Sequence, residues 1–585
     1  MKRTVLAILF FVSSIPLLAQ EYREYEYREI PVTVYRDKMK AGWIGQIAGV
    51  CWGAPTEFKF NGVIIPEDKM PKWNPEMINN AFDQDDLYVE MTFLRSLEQY
   101  GLNVSQHQAG IDFANSSYQL WHANDAGRKN LRCGIAPPDS GHPAFNIHAD
   151  DIDYQIESDF SGLIAPGLPQ VVIELGEKFG GLMNYGDGLY AGQFVGGMYA
   201  EAFFESDIHR IIHVALDCIP HNSQYAEMVR DVYGWYRENP NDWTTCWQKI
   251  DEKYQKNKDY RRLSCNSGNL NIDAKINGAY ILAGLLYGKG DLDQTIILST
   301  RCGQDSDCNP SNAGGILFTT LGFSKLPSRF SEKLDETKKF SYTAYDFPAL
   351  IDVCEKLARQ AVVQSGGRIV KKNGDDIFLI PVQKTYSTQS TKIRRNLFGR
   401  KTTVPAKTPP KLQLKPYKPS WQPDPPQNIR FTDAEMQLIK TRDYELMEAV
   451  EKFFPGWKLT DCGPDMDPGF RAEYHGKEKV VMTHPKARGE ACVLTNNVAI
   501  PKGKKTTLKL VVAAHDAANT KFDWELIVKA DGKELLKQQI IGGWKDITVD
   551  LSEYAGKTVK LELLNQPNDW SYEAGYWHEI SIQTE

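Results

Sequence analysis

The run Lys38-Met39-Lys40-Ala41-Gly42-Trp43-Ile44-Gly45-Gln46-Ile47-Ala48-Gly49-Val50-Cys51-Trp52-Gly53-Ala54-Pro55-Thr56-Glu57-Phe58 reads as a glycine-studded helix that ends in a turn and presents a carboxylate, Glu57. Apolar residues at helical spacing recur on both sides of it, over residues 37–50, 85–99, 168–179, 189–204, 208–215, 223–238, 276–286 and 291–299. A mainly α domain over residues 21–363 is expected. Gly192, Gly196, Gly197 and Ala200 put small residues on one face, which lets helices approach closely.

Ahead of this domain, Met1, Lys2 and Arg3 precede an apolar and small-residue run from Thr4 to Leu18, ending at Ala19 and Gln20. That is the layout of a secretory signal peptide over residues 1–20, and it predicts a secreted or periplasmic chain. No later stretch is apolar enough to span a bilayer, so no stable membrane insertion is expected.

Beyond Gln364 the pattern changes. Residues 368–370 and 376–382 are strand-like and flank Asn373-Gly374, a strong hairpin signal. Residues 385–430 are rich in proline, lysine and hydroxyl residues, so 364–430 reads as a hairpin and linker. Residues 431–585 open with a helix over 433–454. Alternating strands follow at 507–514, 524–530, 544–551, 558–564 and 576–582, with Asp531-Gly532 closing a hairpin. The fold class expected is multidomain: an all-α domain, a linker, and a β-sandwich of jelly-roll type. That sandwich resembles the galactose-binding-like and carbohydrate-binding modules appended to secreted glycosidases, in architecture rather than in motif.

A chain of 585 residues with formal charge −7 and 42% apolar residues is an ordinary globular protein with no electrostatic reason to bind nucleic acid. Its 10 cysteines form no CxxC pair and no Cys/His ladder, which argues against structural zinc. Cys462 with Cys492, and Cys302 with Cys308, are pairs that an oxidising compartment would allow.

Two acidic clusters stand far apart, Asp83-Gln84-Asp85-Asp86 and Asp305-Ser306-Asp307, each where a loop enters a helix. Either one alone is ordinarily a solvated turn or a helix cap. Together in one helical domain they supply carboxylates of the hard-oxygen kind that Mg²⁺ or Ca²⁺ takes.

With the 38–58 run these clusters resemble the ADP-ribosylglycohydrolase family in order and spacing over about 300 residues. In that family a first helix ends Gly-x-x-x-Gly-x-x-x-Glu, matched by Gly49, Gly53 and Glu57. A Thr/Ser-Asp-Asp triplet opens a helix, matched by Gln84-Asp85-Asp86 with Glu90 four residues on. Gly-Asp-x-Asp-Thr closes the set, matched by Gln304-Asp305-Ser306-Asp307-Cys308, then Asn309 and the small run Ala313-Gly314-Gly315. The resemblance implies a cleft holding one or two divalent ions, Mg²⁺ or Ca²⁺, on Asp85, Asp86, Asp305 and Asp307. Gln84 and Cys308 stand at positions where the family has hydroxyl ligands, and cysteine suits a hard ion poorly. Glu57 and Asp85 are the candidates for the proton work.

Where the family grips a diphosphate with a Gly-Asn-Gly stretch, this chain has Glu157-Ser158-Asp159-Phe160-Ser161-Gly162, keeping only the Ala165-Pro166 end. The added carboxylates disfavour a diphosphate. Asp159 and Phe160 are therefore candidates for sugar binding, as are Asp187 and Tyr190 in the loop 184–190, and Asn309. Asp159 and Asp187 read equally well as helix caps. His142, His148, Asp150 and Asp151 form a further polar loop with no metal spacing. The expected activity is a metal-dependent glycosyl hydrolase acting on an extracellular glycan or furanoside. Two alternatives are a true ADP-ribosyl hydrolase and a non-catalytic sugar-binding surface protein. The expected partner is a carbohydrate or ADP-ribosyl substrate.

Overall fold

The structure is a computed structural model that describes residues 26–265, 268–387, 423–439, 442–460, 462–463, 466, 468–517, 520–568 and 572–585. The expected signal peptide, and the linker over 388–422, lie outside the described residues. The chain divides into two compact units, one formed by Met1–Gln106, Leu120–Ala126 and Gly141–Pro425, the other by His107–Gln119, Gly127–Ser140 and Pro426–Glu585.

The first unit is built on helix α1 (Val32–Gly53), which is buried on every side from Ala41 onward. Such a helix sits inside a domain rather than on it. It ends where Pro55, which has no N–H to give, enters the short turn Ala54–Thr56. Around it stand α2 (Asp85–Tyr100), α3 (Asp159–Leu163), α4 (Asp187–Ala202), α5 (Ala274–Gly288), α6 (Leu292–Arg301), α7 (Cys308–Leu321) and α8 (Phe347–Gln364), with further short helices between them.

Helices α1 and α7 approach closely, and glycine allows it. A Cβ at Gly45 would stand 2.4 Å from the Gly314 carbonyl oxygen, at Gly49 2.2 Å from that of Pro310, and at Gly53 2.1 Å from that of Ser306. The two backbones touch with no side chain between them. This seam ties the turn after α1 to the loop before α7.

The hairpin around Asn373-Gly374 forms as expected. Both residues take positive φ, 54° and 88°, as a tight two-residue hairpin turn requires. Strand β2 (Arg368–Lys372) pairs with β3 (Asp375–Pro381), and β1 (Tyr27–Pro31), which alternation in the sequence had not marked, pairs along the other edge of β3.

The second unit carries two five-stranded antiparallel sheets. Its strands are β4 (Lys458–Thr460), β5 (Gly469–Tyr474), β6 (Lys477–Thr483), β7 (Cys492–Ala499), β8 (Thr506–Ala514), β9 (Asp516–Ala517), β10 (Thr520–Lys521), β11 (Asp523–Ala530), β12 (Lys533–Ile541), β13 (Lys545–Asp550), β14 (Thr558–Gln566) and β15 (Gly575–Thr584). The sheet orders are β12-β11-β14-β7-β4 and β13-β8-β15-β6-β5, while β9 and β10 pair separately. Along β14, Val559, Leu561 and Leu563 point inward and contribute about 1.5–3 kcal/mol each by burial. Trp524 and Trp577 meet in the core with centroids 5.3 Å apart. All five expected strands are present. The Asp531-Gly532 turn leads into β12, a strand the alternation had not marked because its polar residues are frequent. The expected helix over 433–454 is two helices, Asp433–Met436 and Arg442–Phe453. Among the described residues no helix is long and apolar enough to cross a membrane.

Neither expected cysteine pair is bridged. Cys302 and Cys308 are separate buried thiols, and the Cys462 thiol donates to the carbonyls of Gly463 and His484. A loop of five residues stands between Cys302, after α6, and Cys308, which opens α7.

Candidate metal centre and acidic cleft

The glycine seam brings Glu57 and the Asp305–Asp307 loop together. The Thr56 and Ser306 hydroxyls share a hydrogen bond of 2.8 Å. The Phe58 N–H donates to the Gln304 carbonyl at 3.2 Å, and the Gln304 N–H to that of Phe60 at 3.2 Å. Gln304 adopts φ +58°, a conformation a glycine would take without strain. Its side chain holds the loop there, accepting from the Asn271 N–H and donating to the Asn269 carbonyl, each at 2.9 Å.

Asp307 caps α7, its Oδ1 accepting the Cys308 N–H at 3.0 Å. Asp305, Asp307 and Cys308 are all buried, and one ligand atom from each lies within 4.8 Å of the others. Asp85 and Asp86 open α2 opposite them. Asp86 Oδ2 accepts from Ser311 on α7 at 2.9 Å. Gln84 caps α2 through its main chain, its carbonyl accepting from the N–H groups of Leu87 and Tyr88.

These carboxylates push one another's pKa up. Burial and then Asp85 and Asp307 raise Asp86 well above the usual carboxylate range. Burial, Asp305 and Asp85 do the same to Asp307. Asp305 is pushed up to about 7, mainly by burial. Asp85 is raised by burial and held back by the N–H groups at the start of its helix. Glu57, half-buried at the edge, is pushed up to about 8 by burial, Asp307 and Asp85.

A metal ion fits this donor set. Asp86 Oδ1, Asp305 Oδ1 and Asn309 Oδ1 are buried oxygens without a hydrogen-bond partner. A cation at the Asp305, Asp307 and Cys308 group would replace carboxylate repulsion with coordination; among the described residues Asp85 and Asp86 stand outside the set whose ligand atoms lie within 4.8 Å of one another. Asn309 donates through its own Nδ2 to Asn277 at 2.8 Å, which leaves its carbonyl oxygen as the available atom.

Behind this centre lies a second layer. Glu90 accepts from Gln46 Nε2 at 2.5 Å and from the Phe160 N–H at 2.9 Å. Both Asp159 oxygens are engaged, one by Asn312 at 2.8 Å and the other by the Tyr199 hydroxyl at 3.1 Å. Asp159 is fully covered and braces α7 from behind. The Phe160 ring is also core, against Phe93 and Phe179 with centroids 5.8 Å from each.

Asp187 is engaged in the same way. Its Oδ1 accepts the Tyr225 N–H at 2.8 Å, and it stands in a separate buried cluster where Lys275 pairs with Asp150 at 3.1 Å and Asp273 at 3.2 Å. Tyr190, one turn along α4, is buried with it. His148 donates or accepts through Nδ1 at Asp151, 2.9 Å away.

Sequence reasoning passed over Asp153 and Asn124 and gave Glu157 no role of its own. Asp153 accepts the Asn124 N–H at 2.9 Å, and Glu157 accepts from the Asn124 side chain. Both feel Asp85, and Asp153 Oδ2 and Glu157 Oε2 are buried without partners. They extend the acidic wall. The available signal was the density of acids at 150, 151, 153, 157 and 159, interleaved with the apolar residues Ile152, Tyr154, Ile156 and Phe160.

The ADP-ribosylglycohydrolase family model matches residues 31–366, more than half of the chain. The chain belongs to that family. It is therefore a relative of hydrolases that generally bind divalent metals. A solved structure described as an ADP-ribosylglycohydrolase-related protein complex is 13% identical, covering 56% of this chain and 99% of that one, with a TM-score of 0.36. Another, described as "CBM4 structure and function", is 12% identical, covering 22% of this chain and 86% of that one, with a TM-score of 0.16. No curated protein matches.

The raised carboxylates fix how stability depends on pH in the metal-free chain. Asp153 and Asp305, each at about 7, hold more protons when folded than when unfolded near pH 4–7, so folding weakens as pH rises through that window. The Tm of the first unit in EDTA is expected to fall by roughly 5 °C or more between pH 5 and pH 8. A divalent ion is expected to raise Tm more at pH 8 than at pH 5. A flat profile in EDTA, followed by calorimetry, would contradict the burial of these groups.

Proposed function

We propose that this chain is an exported, divalent-metal-dependent hydrolase of a glycosidic bond, acting on a carbohydrate. The observation that carries it is the set of buried carboxylate oxygens without partners, from Asp86, Asp153, Glu157 and Asp305, beside a glutamic acid that keeps its proton near neutral pH. The apolar N-terminal run supports export, and Glu157, whose Oε2 is buried without a partner in the stretch where the family grips a diphosphate, supports a sugar without phosphates.

Asp85, Asp86, Asp305 and Asp307 would hold the ion, with Asn309 beside them. When bound, it supplies Lewis-acid polarisation and orients oxygens of the substrate. Glu57 sits on the seam turn, where it delivers its proton to a departing sugar oxygen. The carboxylate wall of Asp153 and Glu157 stabilises positive charge developing at the anomeric carbon. Asp85, held at the start of α2, receives the proton of the attacking water.

Family membership favours a second reading, release of ADP-ribose from a modified substrate. The mature chain should be assayed with aryl furanosides, aryl pyranosides and an ADP-ribosylated protein, with EDTA and then with added divalent ions. Turnover of an aryl glycoside that stops with EDTA and returns with metal is the expected result. Glu57→Gln should then lower kcat by about 10²–10⁴-fold. Turnover of the ADP-ribosylated protein alone would replace the first reading by the second.

A further inference from the structure

Cys308 opens α7 at the point where α1, α2 and the Asp305–Asp307 loop converge, and it is 4% exposed. Its Sγ and one oxygen each from Asp305 and Asp307 lie within 4.8 Å of one another, a spread that one ion can bridge. Asp305 Oδ1 is buried, unpartnered and part of a residue only 3% exposed, so the same small volume holds an oxygen that lacks a donor. The main chain fixes the other two members, since Asp307 Oδ1 is held by the Cys308 N–H at 3.0 Å.

We propose that Cys308 ligates the ion through Sγ, and that the centre therefore selects a late first-row divalent ion, of the Co²⁺ to Zn²⁺ kind, over Mg²⁺ and Ca²⁺. The inference rests on the metal reading above and adds the identity of the ion. Magnesium and calcium take oxygen donors, and a thiol in their coordination sphere is a wasted position. Thiolate beside two carboxylates is a mixed donor set that borderline ions bind strongly and hard ions do not. On loading, the S–H bond breaks, its proton leaves to solvent, and the metal–sulfur bond forms. No electron is transferred.

A cysteine serving only as a small buried residue would be replaceable by serine without changing which metal binds. The test uses the full chain, stripped with a chelator and dialysed. Loaded with Co²⁺, it should show a near-ultraviolet thiolate-to-cobalt charge-transfer band, and Cys308→Ser should lose the band while still binding cobalt through oxygen. In competition between Zn²⁺ and excess Mg²⁺, metal content after gel filtration should show zinc retained. The zinc-over-magnesium preference should fall in Cys308→Ser by at least the ~10–100-fold that losing even an outer partner of a metal site costs. Cys308→Ala, which offers no donor at all, should fall further, and circular dichroism should show both variants folded as the parent is. Asp305→Asn should remove the cobalt band together with the ion. Cobalt bound without the band, or a preference unchanged in Cys308→Ser, would each overturn the proposal. None of these readouts needs turnover. A chain that binds zinc through Cys308 and hydrolyses nothing would overturn the hydrolase reading and leave this one standing.

Discussion

Asp305→Asn is expected to abolish ion retention and to lower hydrolysis by about 10³-fold or more, the several kcal/mol that a metal centre contributes to a transition state at about 1.4 kcal/mol per decade. Asp305 contributes one of the ligand atoms gathered within 4.8 Å, and its free oxygen is one of the atoms a cation would satisfy. An amide keeps the shape and removes the charge. The same substitution should make the metal-free chain more stable at pH 8, because it deletes a buried acid with a pKa near 7 that must ionise there at a cost. Loss of function with gain of stability is the signature of a residue held in place for an ion rather than for the fold. Metal content by mass spectrometry, and melting in EDTA, measure the two sides. If Asp305→Asn keeps its ion, the centre lies elsewhere in the acidic cleft.

The second large effect concerns the seam. Gly49→Leu is expected to prevent the first unit from folding, since a Cβ alone would stand 2.2 Å from the Pro310 carbonyl oxygen and 2.5 Å from the Ser311 nitrogen. These are backbone atoms of a helix buried on all sides and cannot turn away. Even Gly49→Ala should cost about 3–5 kcal/mol, above the usual range for overpacking, because two helix axes must separate. Gly234 makes the contrast. It also lies inside a helix, Gln224–Glu238, but a Cβ there meets nothing within 4 Å. Gly234→Ala should stabilise by up to about 1 kcal/mol through helix propensity alone. Denaturant unfolding followed by circular dichroism would resolve both signs. Equal effects at the two positions would mean that α1 and α7 do not touch backbone to backbone.

Much of this was legible in the sequence, and the reasons divide cleanly. Helix positions followed from apolar spacing, and the hairpin at Asn373-Gly374 from its turn residues, because both signals are local. The acidic centre was legible because Asp85-Asp86 and Asp305-x-Asp307 sit at helix starts in a recognisable order. What was not legible depended on tertiary surroundings. Strand β1 forms because β3 offers it an edge, which nothing in residues 27–31 announces. Asp159, Phe160 and Asp187 looked like site residues because carboxylates and aromatics in loops resemble sugar contacts. Only the packing shows that Tyr199, Asn312 and Tyr225 already occupy the two acids and that Phe93 and Phe179 enclose the ring. Asp153 was passed over because it belongs to no recognisable motif, and only its burial beside Asn124 and Glu157 marks it.

The hydrogen bond between Thr56 and Ser306 spans 250 residues of chain. At the ~5–20 residues per second of ribosomal synthesis, roughly tens of seconds separate the appearance of its two ends. During that interval α1 has emerged with its glycine face unmatched, and Asp85 and Asp86 have emerged without the aspartates that would share an ion with them. The early half of the domain can neither close nor capture metal until α7 arrives. On the metal reading proposed above, whichever compartment completes the fold would also have to supply the ion.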